Sequence, residues 1–422
     1  MTTHIGIDFG TTNSVVSILT PEGGLRTRRF LLGEDELETF RTLLCFWSEE
    51  DRTGASLHHA AGPQAIQAYL EDSLGSRLIM SMKTYLAQRS FTQTKIAGRQ
   101  FSLESLVALF LRALLGDEAN GAQIVAGRPV RFAGDFADDE FGEARLRQAF
   151  AQAGLPEIDV ALEPEAAGYR FARTLDGPTT VLVGDFGGGT SDFSVMRFDP
   201  DSTRPVTPLG HAGIGIAGDS FDYRIIDHVV SPLLGKNDVY RAMGKELPVP
   251  PDYFTGFARW HRLSLMRAPR TLRDIAAVAA TSTHPERLRT LIRLIEHEVG
   301  YQLYQAVSSA KAELSRSDTA ILRFADEDFV VEQPISRSDF EDWIAGDLRR
   351  LAATVDEALN RADLSPDKVD RVFLTGGTSF VPAVRALFER RFGAENVSGG
   401  GEFVSVAEGL ALIGRDRATR LK

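Results

Sequence analysis

One pattern in the chain occurs twice, and it limits the fold more than any other feature. The stretches "GIDFGTTNSVVSI", Gly6 to Ile18, and "VGDFGGGTSDFSV", Val183 to Val195, share one plan: a β-rich run, Asp-Phe-Gly, small polar residues, and a second β-rich run. Aligned on Asp8 and Asp185, the copies lie 177 residues apart. A single copy reads as a tight hairpin and nothing more. Two copies with the same Asp-Phe-Gly predict two related α/β halves, each offering one turn that faces phosphate.

The rest of the chain supports alternating strand and helix. Ile5 to Ile7 and Val15 to Leu19 read as the first hairpin. In "SLESLVALFLRALL" the residues Leu103, Leu106, Val107, Phe110, Leu111 and Leu114 form a helical stripe with Ser102 as N-cap. "AQIVAGRPV" reads as strand and turn, and "DEFGEARLRQAFAQAGL" as a helix stopped near Gly154. "GKELPVPPDYFTG" reads as a loop or insertion boundary. One long helix is predicted from about residue 285 to 315, and "DRVFLTGGTSFVPAVRALFERRFG" reads as strand, Gly-Gly turn and helix.

Composition narrows the partners. A formal charge of -11 over 422 residues repels polyanions, so extended nucleic-acid binding and docking on an anionic membrane are not expected. Cys45 is the one cysteine, which excludes an intrachain disulfide and fits a reducing compartment. The start "MTTHIGIDFGTTNS" lacks signal-peptide character, and no run approaches the ~18 apolar residues of a membrane span. The expected location is the cytoplasm.

The two turns suit a nucleotide. Glycine lets backbone N–H groups approach an anion closely, and a carboxylate at a strand end suits Mg²⁺, which keeps several of its waters. Asp8 and Asp185 hold those positions, while Thr11, Thr12 and Thr190 add hydroxyls for phosphate oxygens or an attacking water. The P-loop pattern is absent. "GIGIAG", Gly213 to Gly218, fits a dinucleotide motif, but "PLGHA" before it is a poor buried strand, which leaves a nicotinamide dehydrogenase a minor reading.

With "GIDFGTTNS", "GDFGGGTSD" and "LTGGTSFVP" in that order, the chain resembles the nucleotide-binding domain of DnaK-type heat-shock chaperones, the heat shock protein 70 family. That family lies within the actin, sugar-kinase and chaperone superfamily. The resemblance runs from about residue 5 to 413 and is weakest between 236 and 296; "GRPVRF" and an insertion with "RWHRL" make it similar to the YegD-like branch. It implies a two-lobed α/β actin-like ATPase fold of duplicated ribonuclease-H-like domains, with a nucleotide cleft between the lobes. Lobe I would take 1–175, with a subdomain at about 37–100, completed by about 400–422. Lobe II would take 176–399, with an inserted subdomain at about 219–344.

Position by position, the resemblance assigns phosphate contacts to Asp8, Thr11 and Thr12, then to Asp185, Gly187, Gly188, Gly189 and Thr190. Metal contact falls to Asp8 and Asp185, through water. Lys83 in "SMKTYL" matches the catalytic lysine, although the residues alone would make it a solvated surface lysine. Glu163 in "LEPEAAGY" matches an acid near Mg²⁺ and water, and Gly218 a glycine near the phosphates. Gly376, Gly377 and Thr378 match the adenosine turn, and Lys311 and Ser315 two further adenosine contacts. Three positions depart from the family: Ser308 and Phe403 stand where it has acids, and Phe380 where an arginine packs on adenine. Phe380 could stack on a purine or belong to the core, with the core reading slightly favoured.

The implied activity is Mg²⁺-dependent ATP and ADP binding with slow hydrolysis, the ATPase acting as a nucleotide-switched module for an unidentified protein partner. No peptide-binding domain is expected in the chain. A sugar-type kinase of the same superfamily and a non-enzymatic, nucleotide-gated scaffold remain alternatives.

Overall fold

The computed structural model describes residues 2–32, 35–51, 54–72, 75–133, 137–172, 175–199, 206–259, 263, 266–297, 299–399 and 404–420. The chain divides into two compact units: Met1–Gly218 with Leu348–Lys422, and Asp219–Asp347.

The first unit contains both copies of the repeated pattern, each opening a sheet. One sheet uses β1 (His4–Asp8), β2 (Asn13–Leu19), β3 (Leu25–Thr27), β4 (Gln123–Arg128) and β5 (Ile158–Leu162), in the order β3-β2-β1-β4-β5. The other uses β6 (Thr179–Phe186), β7 (Ser191–Phe198), β8 (Val206–Ile214), β9 (Arg371–Thr375) and β10 (Val397–Gly399), in the order β8-β7-β6-β9-β10. The two five-strand paths have the same order, and the first sheet carries in addition the short strand Phe40–Arg41 beside β2. In each, the first three strands form an antiparallel meander and the last two join in parallel. The duplication read from thirteen-residue stretches therefore extends to the topology of both sheets.

Helices cover the sheets where the sequence supplies apolar stripes. Helix α1 (Leu103–Leu115) starts at Ser102, whose hydroxyl accepts the Ser105 N–H, and buries Leu106, Val107, Phe110, Leu111 and Leu114. Helix α2 (Asp139–Gln152) is capped by Asp138. Helix α3 (Glu163–Ala172) lies on the face of the second sheet that carries Val183 and Met196, where a Cβ on Gly168 would come within 2.3 Å of Met196 Cε. Helix α4 (Ser405–Arg420) packs on α3 and β1, and Gly6 and Gly409 permit backbone contact there.

Two local expectations change. The long helix is two helices, Pro285–Glu296 and Gly300–Leu314. A Cβ on Gly300 would meet Leu263 at 2.2 Å, so the glycine at the start of the second helix leaves room for that side chain. The Pro/Gly-rich stretch after Gly244 contains a strand, Lys245–Pro248, and a helix, Pro251–Phe257, because its prolines fall at the end of the strand and in the first turn of the helix. "PLGHA" is, as its composition suggests, no buried strand: it belongs to β8, an edge strand whose Thr207, Pro208, Leu209 and His211 are exposed and which tolerates Pro208 beside a register shift. Among the described residues, no helix is long and apolar enough to cross a membrane.

Candidate functional site

In α/β sheets, side chains with chemistry gather where parallel strands end. Asp8 is the last residue of β1, and Glu163 follows β5 directly as the first residue of α3. Gly127, near the end of β4, gives Glu163 its space: a Cβ there would lie 2.9 Å from Glu163 Cγ. In the second sheet Asp185 sits near the end of β6, level with Thr375 at the end of the parallel β9. Gly376 follows with φ 87°, and a Cβ on it would strike the Phe186 carbonyl at 2.0 Å, so this turn needs glycine twice over.

The two Asp-Phe-Gly hairpins meet within this unit. A Cβ on Gly189 would lie 3.2 Å from Thr11 Oγ1 and 3.7 Å from Thr84 Oγ1, next to Lys83. Lys83 sits in the turn Met82–Tyr85, and its Nζ is 2.6 Å from Glu163 Oε1, with both side chains buried. The solvated lysine that the residues alone suggest is corrected: the turn draws Lys83 inward toward acids supplied by β1, β6 and α3.

Sequence reasoning missed Asp192. It pairs directly across the hairpin with Asp185 and is 1% exposed. It accepts the Arg131 N–H at 3.1 Å and the Thr190 hydroxyl. Gly213 leaves room for it, since a Cβ there would fall 2.3 Å from Asp192 Oδ1. The signal was present: a hairpin closing at Phe186 and Ser191 must place residue 192 opposite residue 185.

These acids repel one another. Burial first, then Glu163, pushes the Asp8 carboxyl up to about 7 against the pull of Lys83. Burial and Glu163 likewise push Asp192 to about 7, although the Arg131 N–H, the Thr190 hydroxyl and Lys83 oppose the rise. Asp185 is held well above the usual carboxylate range by burial, Glu163, Asp8 and Asp192. Burial works against the charge on Lys83, yet Glu163, Asp8 and Asp185 keep its ammonium above the ordinary lysine value. The shared influences put Asp8, Lys83, Glu163, Asp185 and Asp192 in one electrostatic neighbourhood.

That donor set fits a divalent cation. Four carboxylates face one ammonium among these residues, and the Thr12 hydroxyl is buried without a hydrogen-bond partner. Among the described residues no three His, Cys, Asp or Glu side chains close into a direct cage. The set suits an ion that keeps water between itself and the protein, as Mg²⁺ does.

The other expected positions divide between the units. Thr190 is buried, and the Gly187 N–H is spent on the Thr190 carbonyl at 2.9 Å, closing the hairpin. Neither Gly187 nor Gly189 has left-handed φ, so space rather than backbone conformation is what Gly189 supplies. Gly188 lies between them, and Gly218 begins the helix Gly218–Ile225. Gly377 and Thr378 form the turn Gly377–Phe380, beyond Gly376. Phe380 is 50% exposed, which corrects its assignment to the core: the following Pro382 helix directs the chain inward only from Val381. In the second unit, Lys311 Nζ pairs with Asp222 at 2.8 Å, and Ser315 caps the helix by donating to the Lys311 carbonyl. Phe403 lies outside the described residues.

Comparison with known proteins gives two findings. Residues 294–415 match the family model described as Hsp70 protein. The chaperone protein DnaK of Deinococcus proteolyticus is 27% identical over 437 aligned residues that cover 98% of this chain. The chain spans 58% of the length of that relative.

Proposed function

We propose that the chain is a member of the heat shock protein 70 family, which it resembles over residues 294–415 and in its likeness to DnaK, and that it binds Mg²⁺–ATP and ADP at the five-residue cluster and hydrolyses ATP slowly. The observation that carries this reading is the meeting of both Asp-Phe-Gly hairpins, at Thr11 and Gly189, beside buried Lys83 and an excess of carboxylate. Bound magnesium would neutralise phosphate charge and hold ordered waters.

The residues of the chain supply the remaining chemistry. Thr11, Thr12, Thr190 and the amides of Gly188 and Gly189 would donate to phosphate oxygens. Lys83 would place its ammonium against charge that develops during phosphoryl transfer to water. Asp185 or Glu163 would orient that water. Gly376, Gly377 and Thr378, at the strand end beside Asp185, would receive the nucleoside. The nucleotide state would then be read by a protein partner, as in a chaperone-type switch.

Calorimetric titration with Mg²⁺–ATP, ADP and GTP, followed by phosphate release, tests the reading. Saturable ATP binding and chelator-sensitive phosphate release are expected. Lys83→Ala and Asp185→Asn should each lower turnover by about 100-fold or more, the scale of losing a preorganised charge. Wild-type turnover in either folded variant would refute the assignment.

A further inference from the structure

We propose that Arg145, held by Glu104, is a positioning residue that sets Lys83 against the carboxylate cluster. The inference rests on the reading above, in which Lys83 acts on the phosphoryl group.

Arg145 projects from α2 and is 3% exposed. Its Nε donates to Glu104 Oε1 on α1, so the cation and its counterion both lie in the interior. Its Nη1 faces the main chain that leaves the Lys83 turn, donating to the carbonyls of Phe91 at 3.0 Å, Tyr85 at 3.3 Å and Leu86 at 3.4 Å. The Leu86 N–H in turn donates to the Lys83 carbonyl at 3.2 Å, and Lys83 Nζ reaches Glu163 at 2.6 Å. Direct bonds thus run from Glu104 through Arg145, Leu86 and Lys83 to Glu163.

The turn needs such a restraint. It opens at Ser81, a buried residue with φ 51° whose hydroxyl has no hydrogen-bond partner, so its own start does not favour the observed shape. The N-terminal end of α2 adds a second hold: Asp138 donates its N–H to the Ala87 carbonyl at 3.1 Å and accepts Arg89 Nε at 2.9 Å. A buried ion pair is often no more stable than apolar residues of equal volume. Here the arginine does what an apolar residue cannot, gathering carbonyls from both ends of the loop.

The test uses Glu104→Leu/Arg145→Met, which removes both buried charges and keeps volume, and Arg145→Lys as the conservative variant, each checked for a cooperative melt. The first readout needs no nucleotide: the rate of reductive methylation of Lys83, followed by mass spectrometry of its peptide. Roughly tenfold faster modification is expected in the double variant, as local opening becomes easier, with partial recovery in Arg145→Lys. The second readout is ATP turnover, where kcat should fall about 10–100-fold while KM stays within about twofold, because Lys83 is misplaced and not removed.

Unchanged methylation in the double variant overturns the proposal, and so does faster methylation with wild-type kcat. If the wild-type protein binds and hydrolyses no ATP, the nucleotide reading falls, and the methylation rates alone decide whether the clamp stands.

Discussion

At the scale of single residues, Asp192 gives the clearest consequence. Its folded pKa, about 7, lies above the ordinary 3.8. The folded state therefore binds this proton more tightly than the unfolded chain does. The contribution of this one group to stability is fully present below pH 3.8, falls as pH rises between these values, and is lost above 7. With metal chelated, the melting temperature should decline from pH 5 to 8, and Asp192→Asn should flatten that decline while still accepting the Arg131 N–H. An equally steep decline in the variant would show that other groups set the slope. Legibility varied at this scale for a physical reason. Asp8 and Asp185 stood out because their motif repeats, whereas Lys83 could be placed only by resemblance, since nothing in "SMKTYL" reveals that its turn points inward. Asp192 was visible only to a reader who counted the hairpin.

Among elements, local signals were legible wherever one segment decides its own structure. The Ser102 cap and the stripe behind it fixed α1 to the residue, as Gly154, with φ 95°, marked the end of α2. The break after Glu296 was not legible, and the contact beside it, Leu263 against Gly300, joins residues far apart in the chain. Contact between helices is similarly hidden in sequence. A Cβ at Gly409 would lie 1.8 Å from the Ala166 carbonyl, and neither helix backbone can yield at a methyl's cost. Gly409→Ala should lower unfolding free energy by about 3 kcal/mol or more, the upper end for overpacking, read as a reduced urea midpoint. Gly98→Ala, where a Cβ would meet nothing within 4 Å, is the comparison for the backbone alone, since its φ is 81°.

Over the whole molecule, the expected duplication reappears as one strand order used twice, which short motifs could announce but not prove. The division into Met1–Gly218 with Leu348–Lys422 and Asp219–Asp347 came from packing rather than from any linker composition. Each unit has its own apolar interior, so unfolding should not be a single two-state event. Calorimetry should give a van't Hoff enthalpy below the calorimetric one, and Leu294→Ala, at a fully buried position in the second unit, should shift one component and leave the other. A single transition that moves as a whole would refute this. The facing of Asp185 and Asp192 carries one last implication, for which lengths the chain is free to vary. Losing or gaining one residue between Phe186 and Ser191 would change the parity of the hairpin and turn Asp192 toward the side of Phe193 and Phe388, among aromatic rings. Indels are commonly tolerated in surface connections, but the tetrapeptide Gly187–Thr190 acts as a spacer of fixed count, and its size should resist drift even where its letters change.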